Sequence, residues 1–140
     1  MKTVLHSDTD AALRDSKRVY LCGNLAAPNG LAHIPTDGFE LGISDYKAFT
    51  AEAAHTHTEN GEYNYILAGH LKVYIFHEKK EYTLSAGDLF LIEPHMPYCT
   101  KALAGTRVLF AKTPGGNDKQ LNPELDALLE NWKTNWEAEV

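Results

Sequence analysis

The chain has 140 residues, 44% hydrophobic and 23% charged, a composition that fits one ordinary domain with an adequate core. Its 13 basic and 19 acidic residues give a formal net charge of −6, and no basic cluster is longer than Lys79-Lys80, which argues against nucleic acid or an anionic membrane as a partner. No apolar run reaches the roughly eighteen residues of a membrane span, and Met1-Lys2-Thr3 does not lead into an apolar signal core, so a cytoplasmic location is expected.

In chain order, short extended segments are expected at Val19–Leu25, Phe39–Ile43, Lys47–His57, Glu62–Ala68, Leu71–His77, Glu81–Ser85, Asp88–Ile92, Tyr98–Ala102 and Arg107–Lys112. Turn signals separate them about every eight to twelve residues, the rhythm of an all-β sandwich or barrel. Ala26–Gly30 and Pro35–Gly38 read as loops, and Ala86-Gly87-Asp88 as a tight entry into a strand. After Asn122 the period changes. Leu125, Leu128, Leu129, Trp132 and Trp136 fall at helical spacing, predicting a C-terminal α-helix over about 122–137 with Asn122 as N-cap and Pro123 as first helical residue. Its two tryptophans are expected to pack on the sheet. The two cysteines are too few for a disulfide framework and are expected as free thiols. Cys22, in an apolar run, is a buried hydrophobe, while Cys99 is open between packing and a reactive or ligand role.

The chemistry concentrates at His55-Thr56-His57. Alternate residues of a strand face the same side, so both imidazoles are placed to grip one metal ion. The polar stretch Thr58-Glu59-Asn60-Gly61 reads as a turn that returns Glu62 to the same pocket. Asn64 shares the parity of Glu62 and is expected to point inward, where it either orients Glu62 or a ligand or is a satisfied structural amide. Phe49, Ile66, Phe90 and Ile92 are expected to line the pocket and exclude water.

His55, His57, Glu62 and Gly69 match the first motif, G-x5-H-x-H-x3-4-E-x6-G, of the cupin superfamily, except for its leading glycine. Gly87 and a shifted Pro94 follow its second motif, G-x5-P-x-G-x2-H-x3-N. Over roughly 47–112 the chain therefore resembles the cupins, small jelly-roll proteins of two packed antiparallel sheets. The resemblance implies one domain, 1–140, folded as an all-β double-stranded β-helix barrel with the C-terminal helix appended. It also implies a divalent transition metal, such as Fe, Mn, Ni or Zn, held by three His and one Glu. This sequence departs from that set. His95 sits where the family often has Gly, and Tyr98 where it has the third histidine ligand.

Two outcomes follow from that departure. His55, His57 and Glu62 hold a metal as a facial triad with Tyr98 as a weak ligand or acid–base group, or the metal is lost, because a neutral phenol is a poor ligand. His95 is expected on an exposed loop, with an inward turn to replace the missing ligand left open. The corresponding functions are a metal-dependent enzyme of dioxygenase or isomerase type on a small polar molecule, with Tyr98 and Asn64 as catalytic or orienting groups, and a non-catalytic binding protein for a sugar-like ligand. The resemblance also implies a homodimer paired through sheet edges, for which Val19–Leu25 could serve as the exchanged edge strand.

Overall fold

A computed structural model of the chain describes residues 1–27 and 29–140, so the expected loop Ala26–Gly30 lies in part outside the described residues. The chain begins with α1 (His6–Asp15), then runs through β1 (Arg18–Gly23), β2 (Ile34–Pro35), β3 (Glu40–Tyr46), β4 (Thr50–Ala51), β5 (His55–His57) and β6 (Gly61–Ala68). It continues with β7 (His70–Ile75), β8 (Lys80–Ser85), β9 (Leu89–Ile92), β10 (Tyr98–Ala102), β11 (Thr106–Thr113), β12 (Lys119–Leu121) and the short α2 (Pro123–Asp126).

The strands form two facing sheets, one ordered β2-β1-β3-β11-β6-β9 and the other β12-β5-β10-β7-β8, with β4 alongside β10. This is the expected all-β double-stranded β-helix. Alternation drives it: along β3 and β11 every second residue is buried, and on β6 Glu62, Asn64 and Ile66 are buried while Tyr63 and Tyr65 are exposed. The inner faces enclose a core of Tyr46, Ile66, Leu71, Val73, Ile75, Ile92, Tyr98, Ala102 and Val108, with Phe90 packed against it. Gly69 closes the β6–β7 turn at φ +84°, and an added Cβ would lie 2.5 Å from Thr106 Cα, so only glycine fits.

Five expectations need correction. The expected strand Lys47–His57 is two short strands, β4 and β5, with 52–54 between them. Phe49 does not line the barrel; its ring stands edge-on to Trp136, 6.1 Å between centroids. Val19–Leu25 is no free edge, because β1 lies between β2 and β3. Cys22 is only partly buried.

The fifth correction is the long C-terminal helix, which is a single turn, Pro123–Asp126. The residues beyond it combine weak helix formers, Asn131, Thr134 and Asn135, with a competing partner, because Lys101 Nζ donates to Thr134 O at 3.0 Å. Both tryptophans still dock within the chain. Trp132 packs with Ala54 and Cys99 on the outer face of the second sheet, and the Lys101 ammonium sits over the rings of Trp132 and Trp136 at 4.7 and 5.2 Å. Asn122 occupies the N-cap position, but its side chain donates to Thr56 Oγ1 at 2.6 Å instead of capping. Among the described residues no helix is long and apolar enough to cross a membrane.

Candidate functional site

The pocket is built where β5 meets β6 and β10. The Asn60-Gly61 turn is held by Asn60 Nδ2, which donates to Gly116 O at 2.8 Å, and it delivers Glu62 to the inner face opposite the strand that carries both histidines. Tyr98 is the cross-strand partner of His55. All four side chains are sequestered: His55, His57, Glu62 and Tyr98 are each 8% exposed or less.

His57 is the hub. Its Nε2 lies 3.1 Å from Tyr98 Oη and 3.4 Å from Glu62 Oε2, while its Nδ1 lies 2.8 Å from Asp118 Oδ1. Asp118 stays ionised. Burial pushes its carboxyl up, but hydrogen bonds from the Asn60 and Glu59 amides and from His57 outweigh it and bring the group down to about 2. An ionised carboxylate only accepts, so His57 Nδ1 donates. In the neutral ring the Nε2 lone pair then faces Tyr98 and Glu62.

His55 is fixed in the same sense. Its Nδ1 donates to Ala53 O at 2.8 Å, leaving Nε2 as the lone-pair nitrogen, and its ring lies against Tyr98 with centroids 4.3 Å apart. Burial brings its pKa down to about 4, so the ring is neutral at physiological pH. Burial first, and then the charge of Glu62, push the Tyr98 phenol well above its usual range. Tyr98 is therefore a protonated donor, and it gives its hydrogen to His57 Nε2.

Asn64 points inward as expected, with a different bond. Its Nδ2 donates to the main-chain oxygen of Glu62 at 3.3 Å, so it steadies the strand and not the carboxylate. Beside Glu62, Asn64 and Tyr98 the barrel encloses a cavity of about 30 Å³, which Phe90, Thr100 and Arg18 also line. His95 stays outside on an exposed loop at φ +64°, where its amide donates to His57 O at 2.7 Å. Cys99 faces away from the pocket toward Trp132, and burial pushes its thiol up to about 12, which leaves it inert.

Two residues of the site lie outside the motif that carries the histidines and Glu62. Asp118 arrives because β12 pairs with β5, 61 positions away along the chain from His57, and Arg18 arrives on β1. The only local sign of the former is the turn-rich stretch Pro114-Gly115-Gly116-Asn117 before it.

The donor set suits a divalent transition metal. Two imidazoles present Nε2 with Nδ1 tied to a carbonyl and a carboxylate, the outer support that metal-binding histidines use, and Glu62 adds carboxylate oxygens. As they stand, however, no three His, Cys, Asp or Glu side chains among the described residues close to metal-binding distances. The Tyr98 hydroxyl occupies the space in front of His57 Nε2.

A family model described as "Cupin domain" matches residues 44–110. No curated protein sequence matches the chain. Among solved structures, KdgF from Halomonas sp. is 20% identical at a TM-score of 0.56, over 72% of this chain and 80% of that one. The DMSP lyase DddQ from Ruegeria pomeroyi DSS-3 is 17% identical at a TM-score of 0.58, over 75% of this chain and 50% of its own. A chain from the DMSP lyases RdDddP and RnDddQII is 13% identical at a TM-score of 0.60, over 75% and 51%. This chain thus spans about half the length of the lyase chains, and at these identities the likeness is one of fold.

Proposed function

This chain is a small protein of the cupin superfamily, and from that premise we propose that it is a metal-dependent enzyme, of isomerase or dioxygenase type, acting on a small polar molecule. One observation carries the reading. Both imidazoles are locked by their Nδ1 atoms, to Ala53 O and to Asp118, so that their lone-pair nitrogens are left for a common ligand near Glu62. His55, His57 and Glu62 would hold the ion, which when bound supplies a Lewis acid for a substrate oxygen or a site for dioxygen. For that, Tyr98 gives up its hydrogen bond to His57. Its protonated phenol then serves as the proton donor of the pocket, and Asn64 Oδ1 is left to orient a substrate hydroxyl. The burial of all four side chains keeps bulk water away from the reacting atoms.

Metal analysis of the purified protein, and of protein reconstituted with iron, manganese, nickel or zinc, tests this reading. One metal ion per chain is expected, lost in His55→Ala and Glu62→Ala. Absence of metal from both native and reconstituted wild type overturns it.

A second reading, a non-catalytic protein for a sugar-like ligand, has its own support. The Tyr98 hydroxyl already satisfies His57 Nε2 at 3.1 Å, so the pocket is complete without an ion. A thermal-shift screen separates the two, because stabilisation by sugars with none by any of the four metals selects the binding protein. We further propose a cytoplasmic homodimer. Two free thiols suit a reducing compartment, and an exposed apolar patch on β6 and β9 suits a second copy of the chain.

A further inference from the structure

Arg18 sits on the inner face of β1, across from Ser44. Its Nε donates to Ser44 Oγ at 3.0 Å, and its guanidinium lies 4.7 Å over the ring of Phe110. Those two contacts fix the plane of the group while using one of its five N–H donors. Arg107 shows the contrast, since its terminal nitrogens meet Asp10 and Asp45 at 3.3 and 3.4 Å. The terminal nitrogens of Arg18 meet no carboxylate and make no hydrogen bond among the described residues. A fixed, partly buried guanidinium with its fork unused is an anion receptor.

Its position says where the anion would come from. Arg18 is the one described residue that lines both the inner cavity of about 30 Å³ and an outer groove of about 1020 Å³ between α1, residues 24–27 and 29–32, and the barrel mouth. The inner cavity alone is too small for an organic ligand. The groove is not. Its second cation, Lys112, is committed, with Nζ 3.6 Å from Glu40 Oε2 and donating to Tyr20 Oη at 3.0 Å. Asp8, Asp15 and Glu40 add negative charge to the same walls. Across the inner cavity Glu62 and Glu52 also face Arg18, which is the single cation of the two linings without a carboxylate contact among the described residues. The site therefore suits at most a carboxylate monoanion, whereas a phosphate dianion would need more positive partners. On the cavity side Asn64 Oδ1 and Thr100 Oγ1 have no hydrogen-bond partner among the described residues, and both suit a ligand hydroxyl.

We infer that Arg18 is the anchor for the carboxylate of a small hydroxy acid, which enters by the groove and turns its hydroxyl groups toward the buried pocket. The inference rests on the reading of the barrel as a site for a small polar molecule, and it gives that molecule a charge.

Gluconate and lactate, with sorbitol and 1,2-propanediol as their uncharged counterparts, provide the test. Titrations are followed by calorimetry and by the guanidinium ¹⁵N signals of Arg18, on metal-loaded and on chelator-treated protein. The acids are expected to bind and to move the Arg18 signals, and the neutral counterparts to do neither. Arg18→Lys keeps charge without the fork and should bind the acids about tenfold or more weakly, and Arg18→Gln should lose binding. Equal binding of acids and neutral polyols, unmoved Arg18 signals in wild type, or tighter binding of inorganic phosphate than of either acid overturns the inference. The wild-type signals decide even where Arg18→Gln does not fold. Carboxylate binding to a protein that takes up no metal sinks only the metal reading, and metal uptake without carboxylate binding sinks only this one.

Discussion

Asp118 bridges two parts of the pocket: Oδ1 takes the Nδ1 proton of His57, while Oδ2 accepts the amides of Glu59 and Asn60 at 2.6 and 2.8 Å. It therefore orients the imidazole and pins the turn that brings Glu62 back. If His57 is a metal ligand, Asp118→Ala should lower metal affinity by about 10–100-fold and release the His57 tautomer, read by metal titration and by imidazole ¹⁵N shifts. Unchanged shifts in the variant would show that the carboxylate positions nothing. His55 makes a separate prediction through pH. Its pKa is about 4 in the fold against an ordinary 6.5, so between those values the unfolded chain binds more protons. Stability of chelator-treated protein should fall as pH drops from about 6.5 to about 4 and then lose nothing more from this group, by at most about 3 kcal/mol in total. Urea midpoints of wild type and His55→Gln check this, since the slope in that window should disappear with the ring. Asp118 adds its own loss lower down, between about 3.8 and about 2, where the unfolded carboxyl protonates first.

The β6–β7 turn shows why a motif glycine is required. Gly69 combines φ +84° with a 2.5 Å approach to Thr106, whose hydroxyl is bonded to both the amide and the carbonyl of His70, at 3.0 and 2.9 Å. Gly69→Ala should cost roughly 2–4 kcal/mol by denaturant unfolding, from backbone strain and overpacking together. The C-terminal segment makes a different point. Trp132 covers Cys99, so Trp132→Ala should lose about 3–5 kcal/mol and render Cys99 open to alkylation that wild type resists; equal protection in both would show that the tryptophan does not shield it. What the sequence makes legible follows the range of the interactions. His55, His57, Glu62 and inward Asn64 lie on two consecutive strands joined by a short turn that crosses between the sheets, and strand parity sets the direction of each pair. Tyr98 needs only the register of β10. Asp118 and Arg18 depend on pairings of β12 with β5 and β1 with β3, which no local pattern encodes. Helix α1 is equally silent, burying only Thr9 and Leu13. The tail misleads in the other direction, since its leucines keep helical spacing although Leu128 is exposed and the chain beyond Asp126 turns to meet Lys101.

On the whole molecule, the outer face of the first sheet carries an apolar patch that its own chain leaves uncovered. Tyr63 and Tyr65 on β6 stand across from Leu91 and Leu89 on β9, with Leu67 beyond, and each is 40–62% exposed. β9 is also the outermost strand of that sheet, so patch and free edge coincide. Covering so continuous a face with an identical one buries both at once, which is the arrangement a two-fold dimer requires. Light scattering should give twice the 15.6 kDa of one chain, and Leu89→Lys with Leu91→Lys should return the single-chain mass. A wild-type mass of one chain refutes the dimer. The alternation of β9 makes the variant informative, because Phe90 and Ile92 point to the pocket side while Leu89 and Leu91 point away. Metal uptake and carboxylate binding by the double variant therefore report whether the site is complete within one chain. If both persist in the monomer, the pocket between β5, β6 and β10 works without its partner; if both vanish while the fold is retained, pairing along β9 is what holds Glu62 and Asn64 on the neighbouring β6 in place.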